Sequence, residues 1–229
     1  MTLKQYSIIT GIVVFLAFWA GCNRTSSPRV AQNLDHASDI RKAGLERELA
    51  KKWDNPVAHY ELGQLYHASG DWSKADYYYD NALGSNPAHR DAQAAKVKMQ
   101  LDKGDRSKSE YLANMYMTQV SSSPEQLLLL GEAFEKQGLT DYALKCYKNA
   151  LTIAPDSYKV NRQLGYYYLA RGKKDQAKEY FIRSFNLNSN QPDVAGELGR
   201  LGVVVKIPEA PAPGSENLSQ PVRPANQPK

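Results

Sequence analysis

Glycine returns every 34 residues along the middle of this chain, at Gly70, Gly104, Gly138 and Gly172. A period that long is neither a helix period nor a strand period. It marks a supersecondary unit copied along the chain, and copied units stack in a line, each touching its neighbours. Other positions keep the same register. Leu62-Gly63 returns as Leu130-Gly131, Leu164-Gly165 and Leu198-Gly199; Tyr66 answers to Phe134 and Tyr168; Ala75 to Ala143 and Ala177. Tyr79 answers to Tyr147 and Phe181, Ala82 to Ala150 and Ser184, and Pro87 to Pro155. Large rings and small residues alternate, and that alternation suits helices packed ridge into groove at close range.

Each unit reads as two helices joined at a glycine. Gly63 and Ala75 let the two backbones approach, Tyr66 and Tyr79 fill the space beside them, and Ala82 makes room for the next unit. Asn55-Pro56 and Ser123-Pro124 place a capping side chain before a proline at the first helical position. Pro192 stands in the same register, 68 residues after Pro124. One such hairpin cannot bury its apolar face alone, so stacking must supply the core. The pattern resembles the tetratricopeptide repeat over roughly residues 56 to 201. That resemblance implies an all-α fold, a right-handed superhelix of stacked antiparallel helix pairs. Its four units are 56–89, 90–123, 124–157 and 158–191.

The second unit departs from the pattern. Lys96-Val97 stands where Leu-Gly is expected, and Ser109 replaces the alanine. Ala113 and Tyr116 exchange large and small relative to Tyr79 and Ala82. Total volume is roughly kept, so the hairpin is expected to form with a shifted crossing. Exposed ends of an array need covers. Residues 39–55 are expected to hold an N-terminal capping helix carrying Ile40, Leu45 and Leu49, and residues 192–201 a second one at the other end.

Outside the array the composition changes. Lys4 precedes an apolar run from Ile8 to Ala20, thirteen residues interrupted by Thr10 and Gly11. A membrane-spanning helix needs about 20, and a shorter run of this kind is typical of a secretory signal. Ala20-Gly21-Cys22 resembles a bacterial lipobox, which implies a signal peptide over 1–21, lipidation of Cys22 and a tether over 22–38. Trp19 stands where such sequences usually carry leucine or another aliphatic. A plain secreted protein and an uncleaved anchor are the alternatives. Without the first 21 residues, which hold Lys4 and no acid, 28 basic residues face 24 acidic ones, a net +4 spread along the chain. Nucleic-acid binding would want that charge clustered, and none is expected. With Cys22 lipidated, Cys146 is alone and no internal disulfide forms. Residues 202–229 read as a proline-rich disordered tail. Its first residues, Val203 to Ile207, either lie extended against the last helix or simply leave the fold.

The search for chemistry finds little. His36, His59, His67 and His89 have no metal-ligand spacing, and no catalytic or phosphate-binding motif occurs. No cofactor, metal or small-molecule substrate is expected. Cys146 reads as a packed thiol beside Tyr147. The family resemblance instead implies a concave face lined by the first helix of each unit. The family's fifth and ninth positions carry over to Tyr60 and Gln64, Ala94 and Lys98, Leu128 and Glu132, and Arg162 and Tyr166. Members of each pair are four apart and share a helix face. Tyr60, Leu128 and Tyr166 would serve as apolar anchors, Lys98 and Arg162 as cations and Glu132 as an anion, a makeup suited to a peptide or partner helix. The reading is an adapter, not an enzyme, held by lipid in a bacterial envelope and facing the periplasm from the outer membrane. The architecture is similar to type IV pilus pilotins and to lipidated adapters of peptidoglycan hydrolases. The rival is an envelope hydrolase using Glu132 and Glu135, three apart on one helix face, for which no buried setting that would split their pKa values is expected.

Overall fold

The computed structural model describes residues 28–206, with side chains from residue 36 onward. Cys22, the signal segment and the tail beyond Lys206 lie outside the described residues. Ten helices follow one another: α1 Pro28–Lys51, α2 Pro56–Ala68, α3 Trp72–Ser85, α4 Arg90–Asp102, α5 Arg106–Gln119, α6 Pro124–Lys136, α7 Thr140–Ile153, α8 Tyr158–Leu169, α9 Lys174–Leu187 and α10 Pro192–Arg200. No strand occurs among the described residues. The fold is an all-α repeat array: four hairpins between a leading helix and a trailing one. The leading helix starts at Pro28, not at residue 39, so part of the segment expected to be a tether is helical. Proline is well placed at a first helical turn, where its missing N–H has no intrahelical partner to lose.

The helix ends follow from local chemistry. Asn55 Oδ1 accepts from the Ala58 N–H and Ser123 Oγ from the Gln126 N–H, each ahead of a proline. Asp71 and Asp105 cap α3 and α5 in the same way. His89 caps α4 through Nδ1, which accepts from the Ala92 N–H at 3.2 Å. At Gly70 the chain turns with φ of +76°, a left-handed conformation that a side chain would strain. The turn directs the Asp71 N–H back to the Tyr66 carbonyl at 2.9 Å. Gly104, Gly138 and Gly172 do the same in the next three hairpins.

Packing inside a hairpin is tighter than two backbones meeting. A Cβ on Gly63 would lie 2.5 Å from the ring of Tyr79, and one on Gly165 2.5 Å from the ring of Phe181. Gly131 meets Tyr147 in the same way. The glycine is therefore the hole and the ring its knob. Repeat two changes both at once: Val97 takes the glycine's place, Ala113 the ring's, and both are fully buried. Tyr116 then occupies the position of Ala82 and Ala150, through which one unit meets the next. In this repeat α5 makes little approach to α6, and α4 packs directly on α6 instead. The hairpin forms, and α4 and α5 approach one another less extensively than the helices of the other hairpins.

In three of the four repeats the side chain at the fourth position pins the preceding loop; repeat three has Leu127 there. His59 Nε2 donates to the Trp53 carbonyl, Gln93 Nε2 to Pro87 and Asn161 Nδ2 to Pro155, each at 2.8–2.9 Å. The core is continuous from α4 to α10. Two smaller clusters hold the front: Leu45, Leu49, Ala58 and Leu62, then Ala75, Tyr79, Ala95 and Met99. At the far end Gly202 turns the chain with φ of +78°. Val203 and Val205 then lie half-buried against the core while Val204 faces outward, 98% exposed. Of the two readings of this segment, the extended one holds as far as Lys206.

Candidate functional site: the face of the first helices

The first helices are neighbours of one another. Besides its own hairpin, α2 approaches α4, α4 approaches α6 and α6 approaches α8; α3, α5, α7 and α9 are not linked to a comparable extent. A row that is close on one side and splayed on the other places α2, α4, α6 and α8 on the inner face.

At the front of that face Gln64 Nε2 donates to the Tyr60 hydroxyl at 2.8 Å. The Tyr60 ring lies 5.0 Å from that of His89. Burial raises the Tyr60 pKa above its ordinary value; Asp91 adds to this and the Gln64 bond opposes it. These residues, with Val57, Glu61 and Arg41, line a depression of about 420 Å³. Gln64 also borders a second depression of about 590 Å³, walled by His67, Trp72, Lys98 and Asp102. The two run on along α2. Inside the second, Lys98 pairs with Asp102. His67 links Asp102 Oδ2 at 3.1 Å to the Tyr79 hydroxyl at 3.2 Å.

Further along, two expectations change. Ala94 is fully buried and Leu128 is 9% exposed; both belong to the core. Leu128 is therefore not an anchor for a partner. α4 packs directly on α6, and both positions lie in the core those helices share. Glu132 remains on the face, with no ion-pair partner within 4 Å among the described residues. Burial holds its carboxyl above the ordinary carboxylate value; Glu135 adds to this, while Lys136 and Arg162 oppose it. So Glu132 does occupy a partly desolvated setting, contrary to expectation.

Arg162 and Tyr166 converge on one acid. The Tyr166 hydroxyl donates to Asp193 Oδ2 at 3.0 Å, and Arg162 Nη1 lies 3.8 Å from the same oxygen. Burial and that carboxylate push the Tyr166 hydroxyl up to about 12. Asp193 on α10 and Asp91 on α4 were missed by the sequence reading. Both stand at the second position of their units, a register the sequence displays but which was not carried over.

Glu135, unlike Glu132, is engaged by neighbouring helices. It accepts from the Tyr147 hydroxyl at 2.9 Å and from Arg171 Nη1 at 3.0 Å, and Arg171 stacks 3.5 Å over the Tyr167 ring. Gln163 Nε2 donates to the same Tyr147 hydroxyl at 3.1 Å. This network ties α6, α7 and α8 together. Burial pushes the Cys146 thiol up to about 12, far from the thiolate that reactivity requires. Among the described residues no cluster of three or more His, Cys, Asp or Glu could hold a metal ion, and no helix is long and apolar enough to cross a membrane.

Tetratricopeptide repeat models match residues 58–91, 126–157 and 159–191. The unmatched interval is repeat two, whose departures were described above. The chain is 30% identical over 154 residues to the type IV pilus assembly protein PilF of Pseudomonas aeruginosa, covering 63% of this chain and 58% of that one. It is 25% identical over 169 residues to the human protein O-mannosyl-transferase TMTC1, covering 67% of this chain and 19% of that one. The chain thus spans less than two thirds of either relative. The solved structure of Pseudomonas aeruginosa pilF aligns over 64% of this chain and 67% of that one, at 28% identity and a TM-score of 0.36.

Proposed function

We propose that this chain, which carries tetratricopeptide repeats, is a scaffold whose first-helix face binds a segment of a protein partner in a bacterial envelope. The face carries no assembled catalytic group. It carries aromatic hydroxyls, amides and charges spaced along four parallel helices, which suits side-chain-by-side-chain reading of a partner. Most of its charges are already answered, Lys98 by Asp102, Lys136 by Asp91 and Arg162 by Asp193. Glu132 is the exception, and this observation carries the reading. A half-desolvated carboxylate without a partner gains most from a basic side chain brought by another molecule.

The likeness to a protein named for type IV pilus assembly supports an assembly role over a cell-wall adapter. The lipobox-like Cys22 supports attachment to a membrane through acyl chains, and Asn23 in place of Asp directly after it supports the outer membrane by enterobacterial sorting logic. Two variants test the face. Arg162→Glu with Tyr166→Ala, and separately Glu132→Lys, are expected to abolish co-purification of envelope partners while the far-UV circular dichroism stays that of the parent. Glu132→Lys matters because it leaves the Asp193 contacts of α10 intact. Unchanged recovery with both variants would refute the face as the binding site. Cys22→Ser is expected to release the protein from membranes; continued attachment at full length would indicate an uncleaved anchor.

A further inference from the structure

Among the described residues, the first helices expose a large apolar side chain at Val57 on α2 and at Leu129 on α6, the latter 48% exposed. A single exposed leucine is ordinary; the setting of this one is not. Leu129 stands in the register of Glu61, Ala95, Gln163 and Glu197. Three of those are polar, and Ala95 is buried in the core. Glu125 precedes Leu129 by four residues and Glu132 follows it by three, spacings that put all three on one face of α6. Among the described residues neither acid has an ion-pair partner within 4 Å; Glu125 accepts from the Ser123 hydroxyl at 3.3 Å. Glu125 lies in the first turn of α6, where the helix dipole favours an acid, and Glu132 has no such compensation. The chain as a whole carries +5, so this strip is opposite in sign to the molecule that bears it.

Along α6 the helix rise sets the distances. Leu129 stands about 6 Å from Glu125 and about 4.5 Å from Glu132, so the acids are about 10.5 Å apart with an apolar side chain between them. We propose that this strip takes a helix of another protein, laid along α6, with an aliphatic side chain on Leu129 between two lysines or arginines seven residues apart. This assignment rests on the first-helix face being the binding surface, and adds the shape and charge of what that surface binds.

The spacing selects a helix. Residues i, i+4 and i+7 of a second helix repeat the same steps of about 6 and about 4.5 Å, and helices pack side by side at about 8–10 Å, within reach of long basic side chains. A strand puts same-face residues about 6.7 Å apart, so three of them span about 13 Å and overshoot the acids. A polyproline helix repeats a face every three residues, about 9.3 Å, and leaves nothing to meet Leu129. The pattern must come from another protein. Beyond Pro208 this chain has no proline-free stretch that bears two basic residues. Only two pairs of basic residues stand seven apart in it, Lys96 with Lys103 and Arg171 with Lys178. Lys96 is buried and held by Asp76 and Asp80, and Lys174 and Asp175 stand midway between the other pair. A second copy therefore does not supply it.

The test uses the chain from Cys22 onward and a fluorescent, alanine-rich helical peptide carrying lysine, leucine and lysine at i, i+4 and i+7. Saturable anisotropy is expected with a Kd of roughly 0.1–1 mM, together with NMR shifts of the Leu129 methyl groups. Glu132→Gln is expected to weaken binding about fivefold, Leu129→Ser about tenfold and Glu125→Gln about twofold. Glu125→Lys with Glu132→Lys should lose this peptide and take up one with glutamate, leucine and glutamate at the same positions, a rescue that a merely structural role would not give. The proposal is overturned if the lysine peptide does not bind, if the charge-reversed chain keeps the parent's preference, or if an extended threonine-rich peptide with lysine, leucine and lysine at alternate positions binds as tightly. If none of these peptides binds and Glu132→Lys still abolishes partner recovery, the face stands as a binding surface and the helix falls. Sedimentation equilibrium should show no dimer that the lysine peptide dissociates; such a dimer would make a second copy the occupant and overturn the proposal.

Discussion

Gly63, Gly131 and Gly165 each hold the place of a ring carbon, and this sets what a single residue can do in this array. Gly63→Ala pushes a methyl into the Tyr79 ring and is expected to lose about 1–3 kcal/mol, as overpacked cores do. Tyr79→Ala leaves a hole and is expected to lose about 3–5 kcal/mol. Combined as Gly63→Val with Tyr79→Ala, the two changes reproduce the Val97 and Ala113 pair of repeat two. Urea unfolding should then show coupling of at least about 1 kcal/mol in the favourable sense; strict additivity would refute the knob-and-hole account. His59 makes a second residue-scale prediction. Its Nε2–H is committed to the Trp53 carbonyl, and Nδ1 is buried without a partner near the Trp53 and Tyr78 rings. Burial lowers its pKa from 6.5, against the opposing pull of the Trp53 carbonyl and Asp54. A lowered pKa means that the unfolded chain binds the proton more readily. Stability is then complete above about pH 6.5 and declines as pH falls from there to the lowered folded value. His89 acts in the same direction, while Glu132, whose pKa is raised, gives the opposite slope above its ordinary 4.5. The difference between parent and His59→Gln isolates the His59 share: the variant's Tm should fall less between pH 7 and 5. Parallel profiles would contradict it.

At the scale of an element, α5 stands apart. It approaches α4 less extensively than its counterparts approach theirs, and it makes little approach to α6. Weakly tied elements open at lower free energy. The amides of α5 should therefore exchange with deuterium sooner than those of α3, α7 and α9, and equal protection would show the looser approach to be without energetic effect. Caps explain why the helices start so sharply in a chain with middling helix propensity. Ser123→Ala is expected to remove about 1 kcal/mol by orphaning the Gln126 N–H, read by thermal unfolding against the parent.

Across the whole molecule the core is unevenly divided. One cluster runs from α4 to α10, while repeat one rests on two small ones. In a linear array stability is a sum of local terms, so the weakly cored end opens first. Trp53 and Trp72 both report on that end. In the chain lacking residues 1–21, and so Trp19, their fluorescence should change at lower urea than the far-UV circular dichroism. Coincident transitions would show a single cooperative unit.

How much was legible in the sequence depended on whether the cause was local. Glycine turns recur in four hairpins, and a ring opposite a glycine in three, because the same contact is remade, and a repeated contact writes a repeated pattern. The helical hairpins and the all-α architecture were therefore readable in the sequence. What tertiary structure alone decided lies where one unit meets the next. Leu128 reads as an exposed anchor, yet it is buried in the core where α4 packs directly on α6. Asp193 joins Arg162 and Tyr166 only because α10 stacks on the last pair. Glu132 is left without a partner for the same kind of reason. Burial and charge pairing are sums over neighbours brought together by stacking, and no spacing along one helix contains those neighbours.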